Sequence, residues 1–151
     1  MLAAGQIVHA IATRITGLTL GAGVFTDRAW PLSQAQLPAW RVVAVDEEIE
    51  PLTVHVDPFQ THALQVELRG HVAATEALDD ELHALSSEAL TAVFDPTPPV
   101  DALTAIAASL QLTLRRIERA MATEGEAAIG LVVVTLRATF RTRASAPEQF
   151  V

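Results

Sequence analysis

Leu131-Val132-Val133-Val134-Thr135-Leu136-Arg137-Ala138-Thr139-Phe140-Arg141-Thr142-Arg143 is the stretch on which the fold turns. Val132, Val134, Leu136, Ala138 and Phe140 fall on one side of a two-residue repeat. Val133, Thr135, Arg137, Thr139 and Arg141 fall on the other. A period of two marks a strand with one face on a core and one face wetted, the habit of antiparallel sheets. His62 to Ala73 has the same form. Leu64, Val66, Leu68, Gly70 and Val72 share one face, and Ala63, Gln65, Glu67, Arg69 and His71 share the other.

The remaining elements are read outward from these two strands. Gln6 to Leu18 places Ile7, Ile11, Ile15 and Leu18 at helical spacing, and Gly17 ends that helix. Gly21-Ala22-Gly23 is a turn before a short strand, Val24-Phe25-Thr26. After a polar connection holding Pro31 and Pro38, Ala39 to Val45 is nearly all apolar, as in a strand inside a sheet. Asp46, Glu47, Glu48 and Glu50 form an acidic connection. Leu52 to Val56 reads as a short third strand, cut by Asp57-Pro58. Glu76 to Phe94 is the second helix, with Leu78, Leu82, Leu85, Ala89 and Val93 as its buried stripe. Its acidic first turns, Glu76 and Asp79 to Glu81, suit the positive end of the helix dipole. Asp95-Pro96-Thr97-Pro98-Pro99 stops it, and Asp101 is placed to cap the next segment.

That segment has two readings. Leu103, Ile106, Ala107, Leu110, Leu114, Ile117 and Met121 fit a single helix, which periodicity alone favours. Leu112-Thr113-Leu114 also fits the opening of a strand with Arg115, Ile117 and Arg119 on one face. Residues 144–151 are expected to be a flexible tail, leaving 1–143 as one domain. Helices and strands do not alternate along the chain, so the fold class is α+β: a mostly antiparallel sheet with two main helices packed on it.

Composition narrows the function. The 151 residues are enough for one domain that buries roughly 70% of its unfolded surface. Half the residues are apolar and 19% are charged, which excludes global disorder. There is no cysteine, so disulfides, thiolate zinc sites and thiol nucleophiles are excluded. All ten basic residues are arginine, against eighteen acidic ones, for a net charge of −8. That balance argues against a broad grip on a phosphate backbone. Met1-Leu2-Ala3-Ala4-Gly5 does not open a signal peptide, and Leu131–Val134 is far too short an apolar run for a membrane span. The expectation is a soluble protein made in the cytoplasm, with no membrane partner.

No phosphate-binding loop, dinucleotide fingerprint, zinc-protease helix or nucleophile elbow is present. His55, His62 and His71 match no metal spacing and read as separate, solvated side chains. Glu47-Glu48 and Asp79-Asp80-Glu81 could meet a hard cation but read as solvated faces. Ser86-Ser87 lies mid-helix without triad partners. No catalytic, cofactor or metal residue is assigned, and no enzyme is expected.

Arginine and tryptophan carry the remaining signal. Arg115, Arg116 and Arg119, with Arg137, Arg141 and Arg143, can cluster on one sheet face if both segments are strands. They then serve either a subunit contact with Asp46, Glu47 and Glu48 of a neighbour or ion pairs within the chain. Trp30 and Trp40 flank the loop from Asp27 to Pro38, as a contact surface beside Arg28 or as core anchors.

Val24-Phe25-Thr26-Asp27-Arg28-Ala29-Trp30-Pro31, then Gln36-Leu37-Pro38-Ala39-Trp40, resembles the minor tail protein U family, the tail terminators of long-tailed bacteriophages. So do the acidic connection at Asp46 to Glu50, the strand His62 to Ala73 and the acidic helix from Glu76. Leu112-Thr113-Leu114-Arg115-Arg116, Glu124-Gly125-Glu126 and Leu136 to Thr142 continue the likeness. Asp27 abuts Arg28 here, without the family's intervening glycine.

The resemblance implies a short helix near 101 to 110 and a strand from about 111 to 121. It implies a structural virion protein of the tail, assembled in the host bacterial cytoplasm. Such a protein forms a homo-hexameric ring, caps the tail tube protein, ends polymerisation and offers a surface to the head-tail connector protein. Arg28, Trp30, Asp46, Glu47, Glu48, Arg115, Arg116 and Arg119 are the candidate subunit-interface residues. Six copies at −8 each would carry about −48, so DNA would pass through the lumen without specific binding. The alternatives are another neck or head-tail joining protein, or a small ligand-binding α+β oligomer.

Overall fold

The computed structural model describes all residues except 22, 27–31, 97–100 and 125–126. Helix α1 (Ala3–Ile15) leads to a short strand β1 (Gly23–Phe25). Two long strands come after it, β2 (Ala39–Pro51) and β3 (Phe59–Ala73). Helix α2 (Leu78–Val93) and the five-residue α3 (Ala102–Ile106) come next. The chain ends in β4 (Leu110–Glu124) and β5 (Ala127–Arg143).

The described strands form one sheet in the order β1-β2-β3-β5-β4. β1 runs parallel to β2 over three residues, and every other pairing is antiparallel. The architecture is the α+β class expected, with α1 and α2 as the main helices.

Alternation decides which side of each strand the helices cover. Leu64, Val66, Leu68 and Val72 of β3 are buried beside Val132, Val134, Leu136, Ala138 and Phe140 of β5. Ile7, Ile11 and Ile15 of α1, and Leu82, Leu85, Ala89 and Val93 of α2, close over them. Trp40 is wholly buried in this core, so it is an anchor and not a contact surface. It sits opposite Gly70, where an added Cβ would lie 2.9 Å from the Trp40 ring, from Leu85 and from Val132. Gly70 interrupts the apolar stripe of β3 because the indole occupies that space.

Several boundaries differ from the sequence reading. β2 does not stop at Val45 but carries the acidic residues on to Pro51. Leu52 to Val56 is not a strand; it belongs to the turn joining β2 to β3, where Val54 and Val56 are fully exposed. The segment with two readings divides as the resemblance implied, into a short helix and then a strand. His62 and His71 are buried, not solvated.

Residues 144–151, expected to be loose, are tied down in several places. The Ala3 amide donates to the Pro147 carbonyl, and the Val151 amide to that of Arg141. The Ser145 amide and hydroxyl both donate to Asp57, each at 2.8 Å. Phe150 meets Phe140 edge-on, with ring centres 5.5 Å apart. These partners lie far away in sequence, so a compositional reading of the terminus does not find them.

Candidate assembly surface

The helices cover one face of the sheet only, which leaves the opposite face to carry its polar side chains. Alternation sends Asp46, Glu48 and Glu50 of β2 to that outer face, with Gln65 and Glu67 of β3 and Thr135, Arg137 and Arg141 of β5. Arg115 and Arg116 of β4 share it. Asp46, Gln65, Arg137 and Thr113 lie on one line across the four long strands. Arg115 stands two residues further along β4, and a groove of about 220 Å³ runs between Asp46, Glu48, Gln65, Arg115 and Arg137.

At interstrand spacings near 4.8 Å, β2 and β4 lie about 14 Å apart across the sheet. That is too far for direct pairing, and among the described residues no ion pair joins Asp46 or Glu48 to an arginine. Of the arginines on this face, Arg69 pairs with Glu67 and the exposed Arg116 with Glu118, each within its own strand. Around the Asp46–Thr113 line the sheet thus displays a negative side on β2 and a positive side on β4 and β5, whereas Arg41 and Arg69 stand toward its other end.

The sequence-derived candidates divide. Asp46, Glu48, Arg115 and Arg116 are exposed together on the outer face. Glu47 points the other way: its carboxylate lies 2.6 Å from His62 Nδ1. His62 Nε2 meets the Thr142 hydroxyl at 2.8 Å, and the ring stacks on Phe140. Arg119 also leaves the outer face and reaches His83 of α2 at 3.0 Å. Arg28 and Trp30 lie outside the described residues.

One polar cluster had no signal in the sequence beyond the capping role of Asp101. Arg14, at the end of α1, bonds to Asp101 at 2.5 Å and to Thr104 at 2.9 Å. It also donates to the Ala92, Val93 and Asp95 carbonyls at the end of α2. Asp101 in turn caps α3 by accepting from the Thr104 amide at 2.7 Å. The Arg14 hydrogen bond and then the amide bond hold the Asp101 carboxyl far below the usual carboxylate range. This cluster locks three helices together.

An apolar groove of about 330 Å³ opens between Leu20, Leu37, Pro38, Val72 and Leu85. The polar side chains on its wall, Thr75 and Glu81, bond to each other at 3.0 Å. No helix among the described residues is long and apolar enough to cross a membrane.

No protein-family model matches the chain, and no curated protein matches it. Among solved structures, it is similar to a chain in the "Virion of native gene transfer agent (GTA) particle", with a TM-score of 0.54 and 14% identity. The likeness covers 93% of this chain and 98% of the other. Over nearly its whole length, the chain therefore shares the fold of a chain from a virion particle.

Proposed function

We propose that this chain is a structural protein of a tailed, phage-like particle: a tail terminator that closes into a hexameric ring. The ring caps the tail tube, ends its polymerisation and presents a surface to the head-tail connector. The protein performs no chemistry. The observation that carries this reading is the likeness, over nearly the full length of both chains, to a chain of a gene transfer agent virion. The two-signed sheet supports it, because a ring needs different patches on the two sides of each subunit. The carboxylates of a −8 subunit, turned toward the lumen, let DNA pass without adhering.

The same likeness favours a second reading, another neck protein of the particle, since the similar chain belongs to a whole virion. A ligand-binding oligomer has less support, because Thr75 and Glu81 satisfy each other on the wall of the apolar groove.

The test is native mass by light scattering across concentration, with negative-stain images of the same sample and of purified tail tubes after mixing. Six-fold rings that cap tube ends are the expected result. A protein that binds the connector but never the tube belongs to the second reading. Rings with an arginine-lined lumen would end the proposed passage of DNA.

A further inference from the structure

We infer that the sheet itself continues from one copy to the next, the β4 edge of one subunit pairing antiparallel with the β2 edge of its neighbour. The inference rests on the ring reading above and specifies how the ring is held.

Both margins of the sheet are open among the described residues. Among the described residues, β4 pairs only with β5, so one edge of a fifteen-residue strand has no backbone partner. At the other margin, among the described residues, β1 covers β2 only as far as Arg41, and Asp46 to Pro51 pairs with β3 alone. Long unpaired edges invite another strand. Charge selects which one. The β2 segment carries Asp46, Glu47, Glu48 and Glu50, whereas β4 carries Arg115, Arg116 and Arg119 against Glu118. Pairing β2 with β2, or β4 with β4, would set like charges opposite one another. Pairing β4 with β2 sets opposite charges together, and that contact is head-to-tail, as ring closure requires.

Direction and height also agree. β2 and β5 run one way, β3 and β4 the other, so a neighbour in the same orientation brings its β2 antiparallel to β4. Asp46 and Thr113 lie on one line across the sheet, with Arg115 two residues along. Copies set side by side at equal height therefore bring Asp46 within a diagonal step of Arg115 and Arg116 and set Glu48 opposite Gln111, with no rise from copy to copy.

The test uses the full chain with two exposed charge reversals. Arg115→Glu with Arg116→Glu makes both edges acidic; Asp46→Lys with Glu48→Lys makes both basic. Each alone should need about tenfold or more protein to form rings, by light scattering. An equimolar mixture should restore rings in which the two variants alternate, and combining all four changes in one chain should restore them as well. Circular dichroism checks that each variant is folded. In the wild type, amide exchange across Leu110–Ile117, the part of β4 level with the uncovered edge of β2, should slow on assembly, at alternate residues. Wild-type rings left intact by both reversals, or with no slowing in β4, would overturn edge pairing and leave the ring reading standing. A wild type that never assembles, alone or on tubes, would overturn both.

Discussion

The middle of the sheet and its margins are built differently. β3 and β5 pair without a break from Phe59 opposite Arg143 to Ala73 opposite Ile129. Their inner residues, Leu64 to Leu68 and Val132 to Ala138 on alternate positions, are fully buried. β2 and β4 each contain one irregularity, between Ala44 and Asp46 and between Leu114 and Arg116. Beyond it, both strands carry most of the exposed charge. The middle holds the fold; the margins are free to differ in sign and to meet something else. Bulges and charges on edge strands also deter indiscriminate pairing.

The largest effect should come from the middle. Leu68→Ala removes a wholly buried side chain under both helices and should cost about 3 kcal/mol in urea unfolding. Arg14→Ala should cost about 2–3 kcal/mol, since it leaves Asp101 and the last carbonyls of α2 without their donor. Ending the chain at Ser145 removes the Phe150–Phe140 contact and the Val151 backbone bond, a loss of about 2 kcal/mol by thermal melting.

Acid should act through Asp57 and Asp101. Both carboxyls lie below their ordinary value of 3.8, Asp57 chiefly through its bonds from Ser145 and Asp101 through Arg14. The folded state therefore binds fewer protons than the unfolded state. Their contribution is complete above that ordinary value and is lost as the pH falls through the folded values. A urea midpoint that falls as the pH drops from about 4 toward 2 is expected, and Asp57→Asn should shrink the fall. The smallest effect belongs to the margin: Arg116→Ala should change stability by less than about 0.5 kcal/mol, because its ion pair with Glu118 is exposed. A large loss there would erase the distinction between middle and margin.

The same contrast explains what the sequence could reveal. β3 and β5 are legible because a strand paired on both sides keeps strict alternation, and each residue predicted inward lies inward. The edges are where the reading strays. A bulge inserts one residue and breaks the period of two. In β2 it falls just where the apolar run gives way to acidic residues, at Val45. In β4 it turns the inward series into Leu110, Leu112, Leu114, Ile117, Arg119 and Met121, and the one gap of three lets Leu110, Leu114, Ile117 and Met121 be read as the stripe of a helix. The outer-face charges were visible one by one. Their grouping depends on the register of four strands, and Glu47 and Arg119 change sides because of the bulges. The Arg14 lock joins residues nearly ninety apart, which no local pattern announces.

The bond between Ala3 and Pro147 places the first helix and the end of the chain side by side. The exposed turn around Val54 and His55 lies at the far end of the β2–β3 hairpin. A short linker could therefore join Met1 to Val151 while a new start is opened in that turn, and every helix and strand would stay whole. The order in which the chain visits its elements is separable from the shape they make, so such a permuted molecule could carry a label at the hairpin tip while the paired middle strands stay as they are.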